Sequence, residues 1–288
     1  MKIFSFSDNS AVPCALCLGR FDGLHLGHRA LIAKAKEYKN LKTALFTIKS
    51  PAASKNIFDF DEFIFACETL GVNLLVAADA TADFFSISPE DFLSALIDRF
   101  CVKALICGED FTYGRLRAGN AYTLEKFCKK RGIAVSVVKT VKKDGKKISS
   151  SAVKELLSSG DVDKAAELLG SAFKIAGRVE RGRSDGAKLG FKTANLQYPA
   201  DKAEIMRGVY ATKTVIDGVT YPSLTNVGAA LTFGLNNTLV ETHVIGFDGE
   251  IYGKTISVSF VKFLRENRKF SSAEELKNQI EKDLKFYD

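Results

Sequence analysis

Apolar positions in the first half of the chain fall into short runs rich in branched residues, at 14–18, 43–48, 74–77, 104–107 and 134–138. Near-continuous apolar runs of that length predict strands covered on both faces, as in a parallel sheet. Between them the apolar residues recur at helical spacing, which predicts helices over about 28–38, 59–70, 89–100 and 122–131. The third has its own start chemistry: Ser88 is a cap, Pro89 suits the first turn, and Glu90 and Asp91 favour the positive end of the helix dipole. Strands alternating with helices predict an α/β fold with crossover helices for residues 1–158.

From 149 to 169 the pattern is helical but interrupted at Gly160-Asp161, so two short helices are expected, with 159–171 as a linker. Over 172–288 the rhythm becomes extended, with segments at 173–179, 209–216, 219–226, 239–247 and 251–263. Asp217-Gly218 is the pair a tight hairpin prefers, because both central residues need positive φ, and Asp248-Gly249 offers a second hairpin signal. This half therefore predicts an antiparallel β-barrel or sandwich. Ser272 and Glu275, three apart, open a closing amphipathic helix in capping-box style.

A length of 288 residues suits two domains, and 46% apolar with 26% charged residues is the composition of a water-soluble globular chain. No apolar run reaches the ~18 residues that span a bilayer. Residues 1–8 lack the apolar stretch of a signal peptide, so the cytoplasm is the expected location and no membrane partner is expected. All six cysteines lie in the first 128 residues, mostly in apolar runs, and are expected to be reduced core thiols. Cys14 and Cys17 form a C-x-x-C spacing without a second pair to complete a zinc site. A net charge of +7 suits anionic substrates, but the basic residues are scattered, so nucleic acid is not favoured as a partner. Oligomeric state is not legible.

Candidate chemistry concentrates first in Gly19-Arg20-Phe21-Asp22-Gly23-Leu24-His25-Leu26-Gly27-His28, between the first strand and the first helix. Phosphates bind at such places, where a strand ends beside a helix amino terminus. Two of the three histidines in the chain, His25 and His28, fall in this one element. Donors held ready there would stabilise the charge that develops in nucleotidyl transfer. These residues resemble the H-x-G-H nucleotidyltransferase superfamily, and the fuller string is similar to bacterial FAD synthetase. That resemblance implies a Rossmann-like nucleotidyltransferase domain with His25 and His28 as catalytic residues, and Gly19, Phe21, Asp22, Gly23 and Gly27 around ATP. Gly108, Asp110 and Phe111, after the fourth predicted strand, resemble the family's G-x-D-F element lining the nucleotide site. Ser149, Ser150, Ser151 and Lys154 resemble the segment that holds the ATP phosphates. Two departures stand out: Lys154 replaces the usual Arg, and Thr47-Ile48-Lys49-Ser50-Pro51-Ala52 lacks the histidine of the family's P-H-P loop.

A second set begins at Gly177 and runs through Gly182, Gly186 and Gly190 to Thr193 and Asn195. A glycine- and arginine-rich loop followed by hydroxyl and amide oxygens suits ATP phosphates and a hard cation, as it would also suit a flexible basic hairpin. The stretch resembles the riboflavin kinase motif. The resemblance implies Mg2+ at Thr193 and Asn195, Glu241 as catalytic base, and ATP or flavin contacts at Tyr210, Asn226 and Arg265. Thr232 and Phe233 follow the family's order with Leu231 in place of a proline, Lys192 likewise replaces a proline, and Asn267 stands at an acidic position. His243 is read as structural. A β-barrel kinase domain with a terminal helix is thus implied. The expected activity is riboflavin to FMN and FMN to FAD, each with Mg2+ and ATP, with riboflavin, FMN, FAD and ATP as the small-molecule ligands. Two alternatives stay open: one active half only, the kinase being retained, or a flavin- or nucleotide-binding regulator.

Overall fold

The computed structural model describes residues 1–49, 54–181, 191–229 and 238–287, and the chain divides into two units, Met1–Ala152 and Val153–Asp288. The first unit carries β1 (Lys2–Ser5), β2 (Cys14–Leu18), β3 (Lys42–Ile48), β4 (Leu74–Ala78) and β5 (Val102–Gly108). After these come a short ribbon, β6 (Thr112–Tyr113) with β7 (Gly119–Asn120), then β8 (Ala134–Val138) and a second ribbon, β9 (Lys142–Lys143) with β10 (Lys146–Lys147). Its helices are α1 (Leu26–Lys36), α2 (Phe60–Thr69), α3 (Ala82–Ser86), α4 (Pro89–Arg99) and α5 (Ala121–Lys130).

The main sheet runs β1-β4-β3-β2-β5-β8, with every pair parallel, as the apolar runs predict. β2 and β4 are buried at every position because helices cover both faces. One core layer gathers Leu16, Leu18, Phe46 and Phe92, and the other Cys17, Phe21, Ile32 and Leu45. Cys14 belongs to the first layer and Cys17 to the second, so the C-x-x-C thiols face opposite sides of the sheet. Burial pushes thiols up, to about 12 for Cys14, Cys67 and Cys107 and about 11 for Cys128, so they stay protonated at neutral pH.

The strand order also locates the ligand crevice. The chain steps outward from β2 to β3 and β4, then returns to β5 on the other side of β2. Loops leaving the carboxyl ends of β2 and β5 therefore part from each other, which opens a crevice at that switch point. β1 and α3 were not expected from the sequence. β1 is a four-residue strand at the sheet edge, largely exposed, and α3 has five residues with none buried, so neither leaves an apolar signature.

α6 (Ser150–Ser158) crosses the division between the units, and α7 (Val162–Leu169) follows after the predicted break at Gly160. The second unit then contains β11 (Lys174–Arg178), β12 (Thr193–Gln197), β13 (Gly208–Ile216), β14 (Val219–Ala229), β15 (Thr238–Val244), β16 (Thr255–Arg265) and α8 (Ala273–Leu284). The sheet order is β11-β16-β13-β14-β15-β12, antiparallel throughout, and a bridge between Glu180 and Asn195 brings its two edges together. Edges joined in this way make a nearly closed barrel. Its interior is partly polar: Thr212, Thr214, Ser223, Thr225 and Thr242 are fully buried and hydrogen-bonded hydroxyl to hydroxyl at 2.7–2.9 Å.

Asp217 and Gly218 take φ of 49° and 83°, and the tight hairpin between β13 and β14 forms as expected. Asp248-Gly249 does not make one. β15 pairs with β14 and β12 while β16 pairs with β11 and β13, so the two strands flanking that dipeptide are not neighbours. β12 escaped the sequence reading because its five residues, Thr-Ala-Asn-Leu-Gln, are too short and too polar to alternate visibly. Ser272 caps α8 by accepting from Glu275 N at 3.1 Å, whereas the Glu275 carboxylate turns to Ser271 N at 2.9 Å.

Candidate active sites

The first site begins where β2 ends. Phe21, Gly23 and Leu24 all have positive φ (54°, 80° and 43°), a tight and strained elbow before α1. His25 ends the elbow as the cap of α1: its Nδ1 accepts from His28 N at 3.3 Å. An accepting Nδ1 leaves the proton of the neutral ring on Nε2, which makes Nε2–H a donor. The His28 ring stacks on His25 with centroids 3.6 Å apart and planes 16° from parallel, and the Phe21 ring lies 5.0 Å from that of His28, tilted by 54°. Gly27 permits this stack, since a Cβ there would come within 3.1 Å of the His25 ring.

Burial pushes His25 down to about 4, with the nearby Lys147 charge acting in the same direction, and burial beside His25 holds His28 well below the usual imidazole range. Both rings are therefore neutral donors at neutral pH. His28 Nδ1 is buried with no hydrogen-bond partner. Because the unfolded imidazoles titrate near ~6.5, the folded unit binds fewer protons than the unfolded chain between about 4 and that value. Its stability is full above ~6.5 and declines as pH falls towards 4. The thermal midpoint of the chain is expected to drop between pH 7 and pH 5, with a shallower fall in His25→Asn; melts across that range check this, and equal slopes would contradict it.

Two further segments meet the elbow, and a third is tied to one of them through Lys147. Asp22 Oδ1 accepts from Ile57 N at 2.8 Å, and the Asp22 carbonyl accepts from Ser150 Oγ at 2.8 Å. Ser149 Oγ accepts from Ala152 N at 3.2 Å, the bond of a helix cap, at the start of α6. In the loop after β5, Asp110 is paired with Lys147, and this contact keeps its carboxyl below the ordinary carboxylate range. Phe111 stacks on Tyr113 at 5.6 Å, Gly108 ends β5, and Gly19 follows β2 with Phe21 folded over it. Residues 19–28, 108–111 and 147–151 are thus tied together around the switch point. Ser151 lies in the first turn of α6, and Lys154 falls in the second unit. Lys147 was missed by sequence reasoning; its only signal is its place directly before Ile148 and Ser149. Thr47, in the region of the departed P-H-P loop, donates its hydroxyl to Arg20 O at 2.8 Å, while residues 50–53 lie outside the described residues.

The second site is a row across the barrel. Strand register sets Arg265 (β16) opposite Val209 (β13), Val209 opposite Asn226 (β14), Asn226 opposite Glu241 (β15), and Glu241 opposite Asn195 (β12). Directly opposed residues share a face of a sheet, so candidates separated by up to 46 positions become neighbours, while Arg265 lies further along the row beyond Val209, next to a register shift between Val209 and Tyr210. Asn226 Nδ2 donates to Glu241 Oε2 at 3.3 Å, which turns the amide oxygen away. Asn195 Oδ1 and Asn226 Oδ1 are both buried without a hydrogen-bond partner. Thr193, two residues before Asn195, lies on the same face of β12 and opposes His243. His243 packs edge-on against Phe191 at 5.3 Å and bonds through Nδ1 to Lys192 O at 2.9 Å.

Two candidates fall elsewhere. Tyr210 is fully buried, hydrogen-bonded through its hydroxyl to Met206 O and packed on Phe260 and Phe263 at 5.1 and 5.2 Å; the structure puts it in the core, not in the row. Gly177 opposes Ile256 at the other end of β16 from Arg265. Gly182, Gly186 and Gly190 lie outside the described residues, as do Leu231, Thr232 and Phe233.

Residues 7–152 match the FAD synthetase family model and residues 169–288 the riboflavin kinase model. The bifunctional riboflavin kinase/FMN adenylyltransferase of Bacillus subtilis is 33% identical, over 93% of this chain and 89% of its own length. The chain belongs to this bifunctional family. Its relative of the same description from Haemophilus influenzae is 33% identical over 94% of this chain and 92% of its own. A solved structure named as a macrolide-efflux protein from Streptococcus pneumoniae superposes with a TM-score of 0.91 at 25% identity, over 99% of this chain and 98% of that one. The fold is common to both proteins. Among the described residues of this family member no helix is long and apolar enough to cross a membrane.

The family's departures now have surroundings. Lys192, where the motif has proline, is exposed and paired with Asp248 at 2.8 Å. Asn267, at the acidic position, donates Nδ2 to Val227 O at 2.9 Å, next to Asn226 in β14. The chain after β16 is thereby fastened to the strand that carries the row.

Proposed function

We propose that the chain makes FMN and FAD in succession, phosphorylating riboflavin in the barrel unit and adenylylating FMN in the parallel-sheet unit. The observation that carries this reading is the register row Asn195, Glu241, Asn226 and Arg265, in a chain whose other unit holds a strained elbow with two neutral imidazoles.

In the barrel, the Glu241 carboxylate accepts the proton of the ribityl hydroxyl as that oxygen bonds to the γ-phosphorus, and the bond from γ-phosphorus to the bridging oxygen breaks to release ADP. Thr193, Asn195 and Asn226 offer oxygens beside it; two of these are buried and unpartnered, and an all-oxygen set fits Mg2+. When bound, that ion neutralises charge on the ATP phosphates. Thr193 and Asn195 are the residues that would hold it. The Arg265 guanidinium, at the other end of the row, is placed to donate to substrate oxygens.

In the parallel-sheet unit, a phosphate oxygen of FMN bonds to the α-phosphorus of ATP, and pyrophosphate leaves. The Nε2–H of His25 and the adjacent His28 ring act as electrostatic donors to that phosphorus's oxygens, with no proton transfer required of a neutral ring. Gly19, Phe21, Asp22, Gly23 and Gly27 shape the elbow, Gly108, Asp110 and Phe111 line the opposite loop, and Ser149, Ser150 and Ser151 supply donors at the α6 terminus. The domains so assigned are the adenylyltransferase over 1–158, the linker over 159–171 and the kinase over 172–288. Purified chain given riboflavin, ATP and Mg2+ is expected to accumulate FMN and then FAD with ADP and pyrophosphate; product stopping at FMN would restrict the function to the kinase.

A further inference from the structure

α8, the carboxyl-terminal helix, contributes nothing to the row directly, yet one of its residues grips it. Asp283 accepts from Arg265 Nε at 3.1 Å through Oδ1 and 3.0 Å through Oδ2, and lies 2.8 Å from Nη2. Gln279, one turn earlier, donates Nε2 to Asp283 Oδ1 at 2.9 Å. The pair is nearly withdrawn from water, with side chains 19% exposed for Arg265 and 6% for Asp283. Arg265 Nη1 also donates to Glu266 O at 3.3 Å, and the Phe270 ring lies 5.7 Å from the guanidinium carbon.

A withdrawn ion pair is a poor stabilising device, because desolvating both charges offsets most of their attraction. Its distinctive product is orientation, since a carboxylate that engages Nε and one Nη together fixes the plane of the fork. Of the five guanidinium N–H groups, that on Nε and one on Nη1 are hydrogen-bonded and Nη2 is held in the ion pair, so at least two keep no hydrogen-bond partner among the described residues. Arg265 stands three strands from Glu241 in the row, about 14 Å at ~4.8 Å per strand. Donors at that distance suit the far end of a substrate whose reacting hydroxyl lies at Glu241.

We infer that Asp283, held in place by Gln279, is a positioning residue of the kinase half: it fixes the Arg265 fork so that its remaining N–H donors meet oxygen acceptors of the bound substrate. The inference rests on the kinase reading above. The shared chemistry is an oxygen acceptor, carried either by the flavin carbonyls or by the ATP phosphates.

The test assays full-length Asp283→Asn, Arg265→Gln and the double variant for riboflavin phosphorylation and, separately, for adenylylation of supplied FMN. Asp283→Asn is expected to lose between about 10- and 100-fold in kinase kcat/KM, through the KM for riboflavin if the acceptor is flavin and for ATP if it is phosphate. The double variant should be no worse than Arg265→Gln, Asp283→Glu should recover part of the loss, and adenylylation should hold. Wild-type kinase kcat/KM in Asp283→Asn, or losses that multiply in the double variant, would overturn the inference. Should Asp283→Asn not fold, Gln279→Leu, which removes only the lateral hold on Asp283, is expected to raise the same KM; an unchanged KM would overturn it. A wild-type chain forming no FMN defeats the kinase reading itself and is told apart from these outcomes by the parent protein alone.

Discussion

FAD formation in His28→Ala is expected to fall about 10²- to 10³-fold in kcat, the range seen when one preorganised donor is removed from a developing negative charge. The basis is the stacked, neutral imidazole pair at the elbow, where His28 Nδ1 is buried without a partner and both rings resist protonation. Riboflavin phosphorylation in the same protein should run at its normal rate, because the residues assigned to it lie in the other unit. Following FAD and FMN separately by chromatography distinguishes this from general unfolding, in which both products would fall. A variant that keeps wild-type FAD formation would remove His28 from the reaction.

The second large effect is in the barrel. Glu241→Gln keeps the size and the hydrogen-bonding reach of the side chain but cannot accept a proton, so kinase kcat should drop by about 10²- to 10⁴-fold, the usual share of a positioned base. Asn226 Nδ2, which donates to Oε2 at 3.3 Å, can still donate to the Gln oxygen, so the barrel should fold as before. FMN supplied from outside should be adenylylated normally. Retained riboflavin phosphorylation would reduce Glu241 to a polar residue on a strand face.

Both effects depend on separability, which the family assignment already contains: one model matches 7–152 and another 169–288. The same separability makes each activity an internal control for variants in the other unit. It also gives the Asp283 test its meaning, because a carboxyl-terminal helix that merely held the chain together would leave both KM values alone.

Much was legible from the chain alone, for a local reason. Parallel strands buried on both faces must be written as continuous apolar runs, so β2, β3, β4 and β5 could be read directly, and the partly exposed edge strand β8 shows in the same branched apolar residues. Start chemistry at Ser88, the break at Gly160 and the Asp217-Gly218 turn depend on neighbouring residues only, and each appeared where expected. The H-x-G-H elbow is equally local, since its strand, glycines and helix start are contiguous.

Tertiary structure decided whatever depends on register and strand order. That Asn195, Asn226, Glu241 and Arg265 form one row follows from pairing across five strands, and a shift of one residue in any pair would send a side chain to the other face. The same dependence explains why Asp248-Gly249 misled, why Tyr210 proved to be core, and why Lys147 and Asp283 went unnoticed. Contiguous residues carry local conformation, but contacts between distant residues are set by how the sheets close, and spacing along the chain holds no record of that.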